Sequence, residues 1–225
     1  MLIIKNVSKS FREATQTSTI LNNIHWQINR AEWCSVVGPS GTGKTTLLHC
    51  ISGLLQPDEG HVHFKGTDIY SLSEKKRSNW RRKHLGFIFQ DFKLLPHYSV
   101  LDNVALPLIF DEAKGPLYDR AKEKLKLVGL EETFFSRLPG GLSGGEKQRV
   151  AIARSLIAEP DILICDEPTG NLDSDNRDKI ADLFSELKKS GQAILMVTHD
   201  PEIARKGDKT YQLSGGSLFV KEVTA

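Results

Sequence analysis

The chain has 225 residues, 39% hydrophobic and 26% charged, with 30 Lys and Arg against 28 Asp and Glu for a net charge of +2. That length suits one large domain or a core with a subdomain, and the near-neutral balance offers no tail for nucleic acid or for a strongly charged partner. No apolar run reaches the ~18–20 residues that span a bilayer, residues 1–6 lack the features of a signal peptide, and Cys34, Cys50 and Cys165 show no metal-type spacing, as buried reduced thiols do.

Residues 2–7 read as a strand, and residues 20–28 as a half-solvated strand with Ile24, Trp26 and Ile28 on one face. Between them lie Phe11 and a polar loop over residues 12–19. An exposed aromatic beside a nucleotide can stack on adenine, but position alone favours packing of Phe11 on its own sheet. Residues 34–37 form a short, mostly apolar strand, followed by Gly38-Pro39-Ser40-Gly41-Thr42-Gly43-Lys44-Thr45 and a helix over residues 46–51. Strand, glycine-rich turn and helix start are the context of a phosphate-binding loop. The glycines let successive N–H groups curl around an anion, and the helix N-terminus adds its partial positive charge. Lys44 can reach the β- and γ-phosphates, and the Thr45 hydroxyl can ligate Mg²⁺.

A turn at Pro57-Asp58-Glu59-Gly60 leads into a strand over residues 61–64, where His61 and His63 share the outer face without a third metal ligand nearby. Residues 73–84 are basic, but Glu74 and Trp80 interrupt the run, as in a solvated helix face rather than a membrane or nucleic-acid contact. Residues 85–90 form an apolar strand ending in Gln90, which can ligate a metal or orient a water through its amide, or merely cap the strand. Ser99 and Asp102 resemble a capping box opening a helix that Pro107 kinks or ends, and residues 118–128 are amphipathic.

Ser143-Gly144-Gly145-Glu146 form a second capping box. Glycines in a first helical turn lower stability relative to alanine, so a pair there predicts close approach of something to the backbone at a second anion site. Residues 161–167 are an apolar run ending in Asp166 and Glu167, at the strand end where ligands bind in open α/β sheets. Asp166 can hold Mg²⁺, and Glu167 can polarise a water attacking a γ-phosphate. After a turn at residues 170–173 and a helix over residues 180–187, the strand at residues 193–198 ends at His199, which can reach the same phosphate. Residues 211–220 suggest a terminal hairpin.

In this order the segments resemble the nucleotide-binding subunit of an ATP-binding-cassette (ABC) transporter, over essentially the whole chain. Residues 38–45 match the Walker A loop, Gln90 the Q-loop, residues 142–146 the signature about 20 residues ahead of Walker B at 162–167, Asn171-Leu172-Asp173 the D-loop, and His199 the switch histidine. The resemblance implies an α/β fold: a P-loop core with a parallel sheet, an antiparallel β subdomain and an inserted α-helical subdomain. It divides a single domain, 1–225, into an ATP-binding core with β subdomain (1–89 and 158–225) and a helical signature subdomain (90–157). It places ATP against Phe11, Gly38, Pro39, Ser40, Gly41, Thr42, Gly43, Lys44, Thr45 and Thr46, reversing the preference stated for Phe11. It places a second copy's Ser143, Gly144, Gly145, Glu146 and Asp173 over the same nucleotide. Mg²⁺ falls to Thr45, Gln90 and Asp166, and catalysis to Glu167, His199, Lys44 and Gln90.

The stretches 87–90, 103–108 and 166–173 look like the branch of lipoprotein-releasing, macrolide-exporting, antimicrobial-peptide-resistance and cell-division ATPases. That branch implies a head-to-tail, nucleotide-dependent homodimer at the cytoplasmic face of the cell membrane. It would power a separate permease by export, extraction or mechanotransmission, with no nucleic-acid partner. A regulatory module signalling nucleotide state to a membrane partner is the alternative; a DNA-repair or translation ATPase would carry coiled-coil insertions or two cassettes. Ala31 stands where the family often has glycine, Thr42 and Thr45 replace frequent serines, and Cys165 precedes Asp166.

Overall fold

The structure, a computed structural model, describes residues 1–13 and 16–221. Among the described residues, β1 (Leu2–Glu13), β2 (Gln16–Ile28), β4 (Glu59–Phe64) and β5 (Thr67–Asp68) form an antiparallel sheet in the order β2-β1-β4-β5. Its inward face carries the alternate apolar residues Leu2, Ile4, Leu21, Ile24, Trp26, Ile28, Val62 and Phe64, all buried. The polar loop expected over residues 12–19 is largely strand: Phe11 pairs with Ser18 and Arg12 with Thr17, leaving only residues 14 and 15 outside the description. The Ser10 and Thr19 hydroxyls meet at 3.1 Å. A ribbon solvated on both faces has no apolar alternation, so its polarity reads as loop.

The second sheet contains β3 (Trp33–Val37), β6 (Leu85–Ile88), β7 (Ile162–Asp166), β8 (Ala193–Val197), β9 (Lys209–Ser214) and β10 (Ser217–Lys221) in the order β10-β9-β3-β8-β7-β6. Its pairs are parallel except the terminal β9–β10 hairpin. One face packs on the antiparallel sheet and α1 (Lys44–Ile51). The other packs on α5 (Gly144–Leu156) and α6 (Ser174–Lys189), and through α5 on α3 (Val100–Ala105) and α4 (Lys114–Leu127). Strands covered on both faces are apolar throughout, and every residue of β8 is buried. The fold is therefore α/β, a P-loop core with an antiparallel β part and a helical part.

The basic helix, α2 (Glu74–His84), buries Trp80 against Phe64 at 5.4 Å between ring centroids; Lys75, Lys76, Arg82 and Lys83 are exposed, with Arg82 meeting Asp111 at 2.6 Å, while Arg81 turns inward to donate to Gly53 O at 2.7 Å. α3 opens on Ser99 with both legs of its capping box formed and gives way at Pro107 to a 3₁₀ turn. A short helix, α7 (Pro201–Arg205), follows β8. The neighbouring strands β3, β8, β7 and β6 run parallel, so the loops at their C-terminal ends emerge at one edge. These four loops carry the phosphate-loop motif, His199, the Asp166-Glu167 pair and Gln90 respectively.

Candidate nucleotide-binding site

The loop after β3 curls through Gly41 (φ 79°) and Gly43 (φ 97°) into α1. Gly43 is required twice: its φ is left-handed, and a Cβ there would lie 2.5 Å from Ile20 Cγ2. No side chain caps α1, which leaves its first N–H groups for an anion. The Lys44 ammonium is buried and donates to the Gly38 and Pro39 carbonyls, at 2.9 Å each. The Thr45 hydroxyl donates to Asp166 Oδ2 at 3.1 Å. Burial, aided by the adjacent Glu167 charge, pushes the Asp166 carboxyl above its ordinary range, against the Thr45 hydrogen bond.

Glu167 adopts φ 47°, left-handed for a non-glycine residue, and its N–H donates to Val197 O at 2.9 Å. The strain, ~1–2 kcal/mol, aims the carboxylate out of the strand, where Oε2 lies 3.0 Å from His199 Nδ1. A Cβ on Gly170 would stand 3.4 Å from Glu167 Oε2 and 3.6 Å from His199 Cε1, ordinary contact distances, so the Gly170 backbone lies beside the dyad.

A cavity of about 340 Å³ opens over these groups. Of the residues expected at the site, Phe11, Ser40, Gly41, Gly43, Lys44, Thr45, Thr46, Gln90, Asp166 and Glu167 line it, together with Ile20, which sequence reading missed. Gly38, Pro39 and His199 instead line a larger cavity of about 470 Å³ on the other flank of the loop. That cavity has neither the lysine nor the carboxylates, so the chemistry belongs to the smaller one. Thr42 donates to Pro39 O at 2.9 Å and lines neither cavity.

The second group of expected residues stands apart. Ser143 caps α5: its N–H donates to Glu146 Oε2 at 2.7 Å, and its Oγ accepts from Glu146 N at 3.3 Å. Asp173 caps α6, accepting from Asn176 N at 3.0 Å and Asn176 Nδ2 at 2.8 Å. None of Ser143, Gly144, Gly145, Glu146 and Asp173 lines the phosphate-loop cavity. A Cβ on Gly145 would lie 2.3 Å from Asn176 Oδ1, so the missing side chain is demanded by packing within the chain as well as by any approaching ligand.

Arg154 was also missed. It donates Nη1 to Lys93 O and Nη2 to Phe92 O, both at 2.6 Å, across more than 60 residues of chain. Phe92 (φ 61°) and Lys93 (φ 47°) are both left-handed. Two such residues cost ~1–2 kcal/mol each, and two hydrogen bonds to a charged donor, ~1.5–3 kcal/mol each, offset that strain. Burial lowers the Arg154 pKa from its ordinary value without a carboxylate partner among the described residues. Asn171 Nδ2 donates to Gln90 O at 3.0 Å.

A glycine-rich loop at a helix start, a buried lysine, a hydroxyl and paired acids on adjacent strand ends define a P-loop nucleotide-binding protein. A family profile described as ABC transporter matches residues 21–170. The chain is 40% identical over 223 residues, 99% of its length and 97% of the other's, to the uncharacterized ABC transporter ATP-binding protein YvrO of Bacillus subtilis (strain 168). It is similar over 100% of both chains to MJ0796, a bacterial ABC transporter cassette solved as a dimer, at TM-score 0.92 and 38% identity. A dimeric post-hydrolysis state of MJ0796 bound to ADP and Pi matches equally well, at TM-score 0.92 and 37% identity over 100% of both chains. It also resembles cbiO1 from Clostridium perfringens, part of the ABC transporter complex cbiONQ, at TM-score 0.85 and 30% identity over 97% of this chain and 86% of that one. The chain belongs to the ABC transporter family, as an ATP-binding subunit.

Proposed function

We propose that the chain hydrolyses Mg·ATP as a head-to-tail homodimer and powers a separate membrane permease of the export, extraction or mechanotransmission type. The observation that carries this reading is the separation of the site into halves: the phosphate-loop cavity holds Lys44, Gln90, Asp166 and Glu167, with His199 reaching Glu167 from its flank, and Ser143 and Gly144 lie outside it. The dimer of MJ0796 with ADP and Pi supports it by likeness.

In this reading Lys44 leaves the Gly38 and Pro39 carbonyls to meet the β- and γ-phosphates, and the N–H groups of residues 41–46 surround them. Thr45, Asp166 and Gln90 supply hard oxygen donors in one cavity, which fits Mg²⁺ completed by substrate phosphates and water. Among the described residues no three His, Cys, Asp or Glu gather into a metal-holding cluster, so the ion would depend on its substrate. When bound, Mg²⁺ draws charge from the phosphate oxygens. Glu167 accepts a hydrogen bond from the attacking water and orients it toward the γ-phosphorus. The bond from that phosphorus to the leaving ADP oxygen breaks as the new P–O bond forms, giving ADP and phosphate. His199 steadies the Glu167 carboxylate. Phe11, 41% exposed at the cavity rim, offers a face for the adenine.

The division into core (1–89 and 158–225) and helical part (90–157) then separates catalysis from coupling. Beyond Gln90, Tyr98 and Phe110 are exposed, Phe110 by 96%, which suits contact with a permease. Among the described residues no helix is long and apolar enough to cross a membrane, in keeping with a peripheral position at the cytoplasmic face through that permease. The finer branch, with lipoprotein-releasing and macrolide-exporting ATPases, rests on residues 87–90, 103–108 and 166–173.

The test is Glu167→Gln, which keeps the side-chain volume and removes the charge. Light scattering with saturating Mg·ATP is expected to show a dimer and the wild type mostly monomer; a variant that stays monomeric refutes the two-copy site.

A further inference from the structure

We propose that Arg154 is a positioning residue for Gln90 and links it to α5, the helix that Ser143 caps. The proposal rests on the reading of Gln90 as a site residue and of the α5 N-terminus as half of a shared site.

Three observations meet here. Phe92 and Lys93 are consecutive non-glycine residues with left-handed backbones, at φ 61° and 47°. Both of their carbonyls are held by one guanidinium, at 2.6 Å each. The carbonyl of Gln90, two residues earlier, accepts a hydrogen bond from Asn171 at 3.0 Å, and Gln90 is one of the residues lining the phosphate-loop cavity. Left-handed residues other than glycine relax to ordinary backbone when nothing holds them. Relaxation at two successive positions redirects the chain and carries Gln90 with it, against the Asn171 tether and the local turn bonds from Phe92 N–H to Phe89 O at 3.2 Å and from Lys93 N–H to Asp91 O at 2.6 Å. The guanidinium suits the task because its rigid fork meets two carbonyls at once, whereas an ammonium meets them as a point charge.

The consequence follows from the connectivity. Arg154 rides on α5, whose first turn carries Ser143 and Gly144, and in a head-to-tail pair that turn faces the nucleotide bound by the other copy. A shift of α5 on engaging one nucleotide is therefore passed through Arg154 to Gln90, which lines the cavity for the second nucleotide. Arg154 makes the two sites report on each other.

The test uses the full chain and four variants: Arg154→Gln, Arg154→Lys, Phe92→Gly/Lys93→Gly, and Arg154→Gln combined with both glycines, with Gln90→Ala as reference. Arg154→Gln is expected to speed amide exchange over residues 90–94 about tenfold without speeding it inside α5, and to lower kcat about tenfold, near 1.4 kcal/mol. The Hill coefficient for ATP is expected to fall to about 1, and Arg154→Lys, which offers a point charge in place of the fork, is expected to recover only part of the activity lost in Arg154→Gln. Glycine occupies the left-handed region without strain, so in the double-glycine background the loss from Arg154→Gln is expected to shrink to about twofold to threefold. An undiminished loss in that background, or unchanged exchange over residues 90–94, overturns the proposal and makes Arg154 a support of α5 alone. Gln90→Ala with full kcat overturns the role of Gln90 and the positioning claim with it. An impaired Gln90→Ala beside an unimpaired Arg154→Gln overturns the clamp only.

Discussion

The two glycines at the start of α5 make opposite predictions. An ideal Cβ on Gly145 would lie 2.3 Å from Asn176 Oδ1, 2.5 Å from its Cγ and 3.1 Å from its Cβ. Asn176 cannot swing away without losing hydrogen bonds, because its Nδ2 donates to Asp173 Oδ2 at 2.8 Å and its Oδ1 accepts from Arg149 Nη2 at 3.4 Å. Overpacking of this kind costs ~1–3 kcal/mol, against ~0.5–1 kcal/mol returned by alanine over glycine in a helix. Gly145→Ala should therefore lose about 1–2 kcal/mol in urea unfolding. Asn176→Ala removes Oδ1 and Cγ and leaves only Cβ at 3.1 Å, so in its background Gly145→Ala should cost little or nothing. The coupling between the two changes should then exceed ~1 kcal/mol. At Gly144 a Cβ would lie 3.4 Å from Leu172 Cδ2 and 3.7 Å from Asn171 O, ordinary contact distances. Gly144→Ala should leave stability unchanged or slightly raised and weaken only the ATP-dependent dimer of Glu167→Gln. A fully stable Gly145→Ala, or one whose cost survives Asn176→Ala, refutes the packing argument.

Lys44→Ala removes the buried ammonium facing the loop carbonyls. ATP affinity, measured by equilibrium titration with a fluorescent analogue, should fall ~10–100-fold, as expected for loss of a charge-assisted hydrogen bond. Ala31 has φ 53°. Ala31→Gly should relieve ~1–2 kcal/mol of left-handed strain and return part of it through a looser unfolded chain, for a net gain of about 0.5–1 kcal/mol by denaturant titration. The Asp102 carboxylate is held below its ordinary pKa, first by the Ser99 hydroxyl and then by Tyr118. A depressed pKa means that this contribution is fully present above the unfolded value and is lost as pH falls through the folded one. The stability gap between wild type and Asp102→Asn should be clear at pH 7, close below about pH 4, and be readable in urea titrations at both pH values.

What could be read from the sequence was what local chemistry demands. The phosphate loop needs curled backbone, a cation and a hydroxyl within eight residues, and the structure places Lys44 and Thr45 over one cavity. Both capping boxes, Ser99 with Asp102 and Ser143 with Glu146, are three-residue patterns and form both of their hydrogen bonds. The strand ending at Asp166 announced itself because a strand covered on two faces has no polar alternation. What escaped was settled by partners far along the chain. Arg154 stands in an apolar helix run, and only the fold brings its guanidinium to Phe92 and Lys93. A lone arginine among Ile152, Ala153 and Leu156 was the available signal. The ribbon at residues 12–19 escaped for the opposite reason, since polar cross-strand partners such as Ser10 with Thr19 and Arg12 with Thr17 on a doubly solvated hairpin leave no hydrophobic period.

The glycine pair shows how the structure sharpens the argument for a shared site. Read in the sequence, both glycines argued for close approach of a ligand. Within the fold, Gly145 is already required by Asn176 and contributes nothing independent. Gly144 meets only ordinary contacts, and Ser143 beside it is exposed with its capping box intact. Its bare backbone has no explanation inside the chain, yet glycine there lowers helix stability by ~0.5–1 kcal/mol relative to alanine. The physical reason that remains is an external group that must come close to the first turn of α5. The phosphate-loop cavity of the same chain does not include that turn. On the proposed head-to-tail reading the external group is a nucleotide held by another copy, and the support for that reading within this chain then comes from residue 144 rather than from the pair.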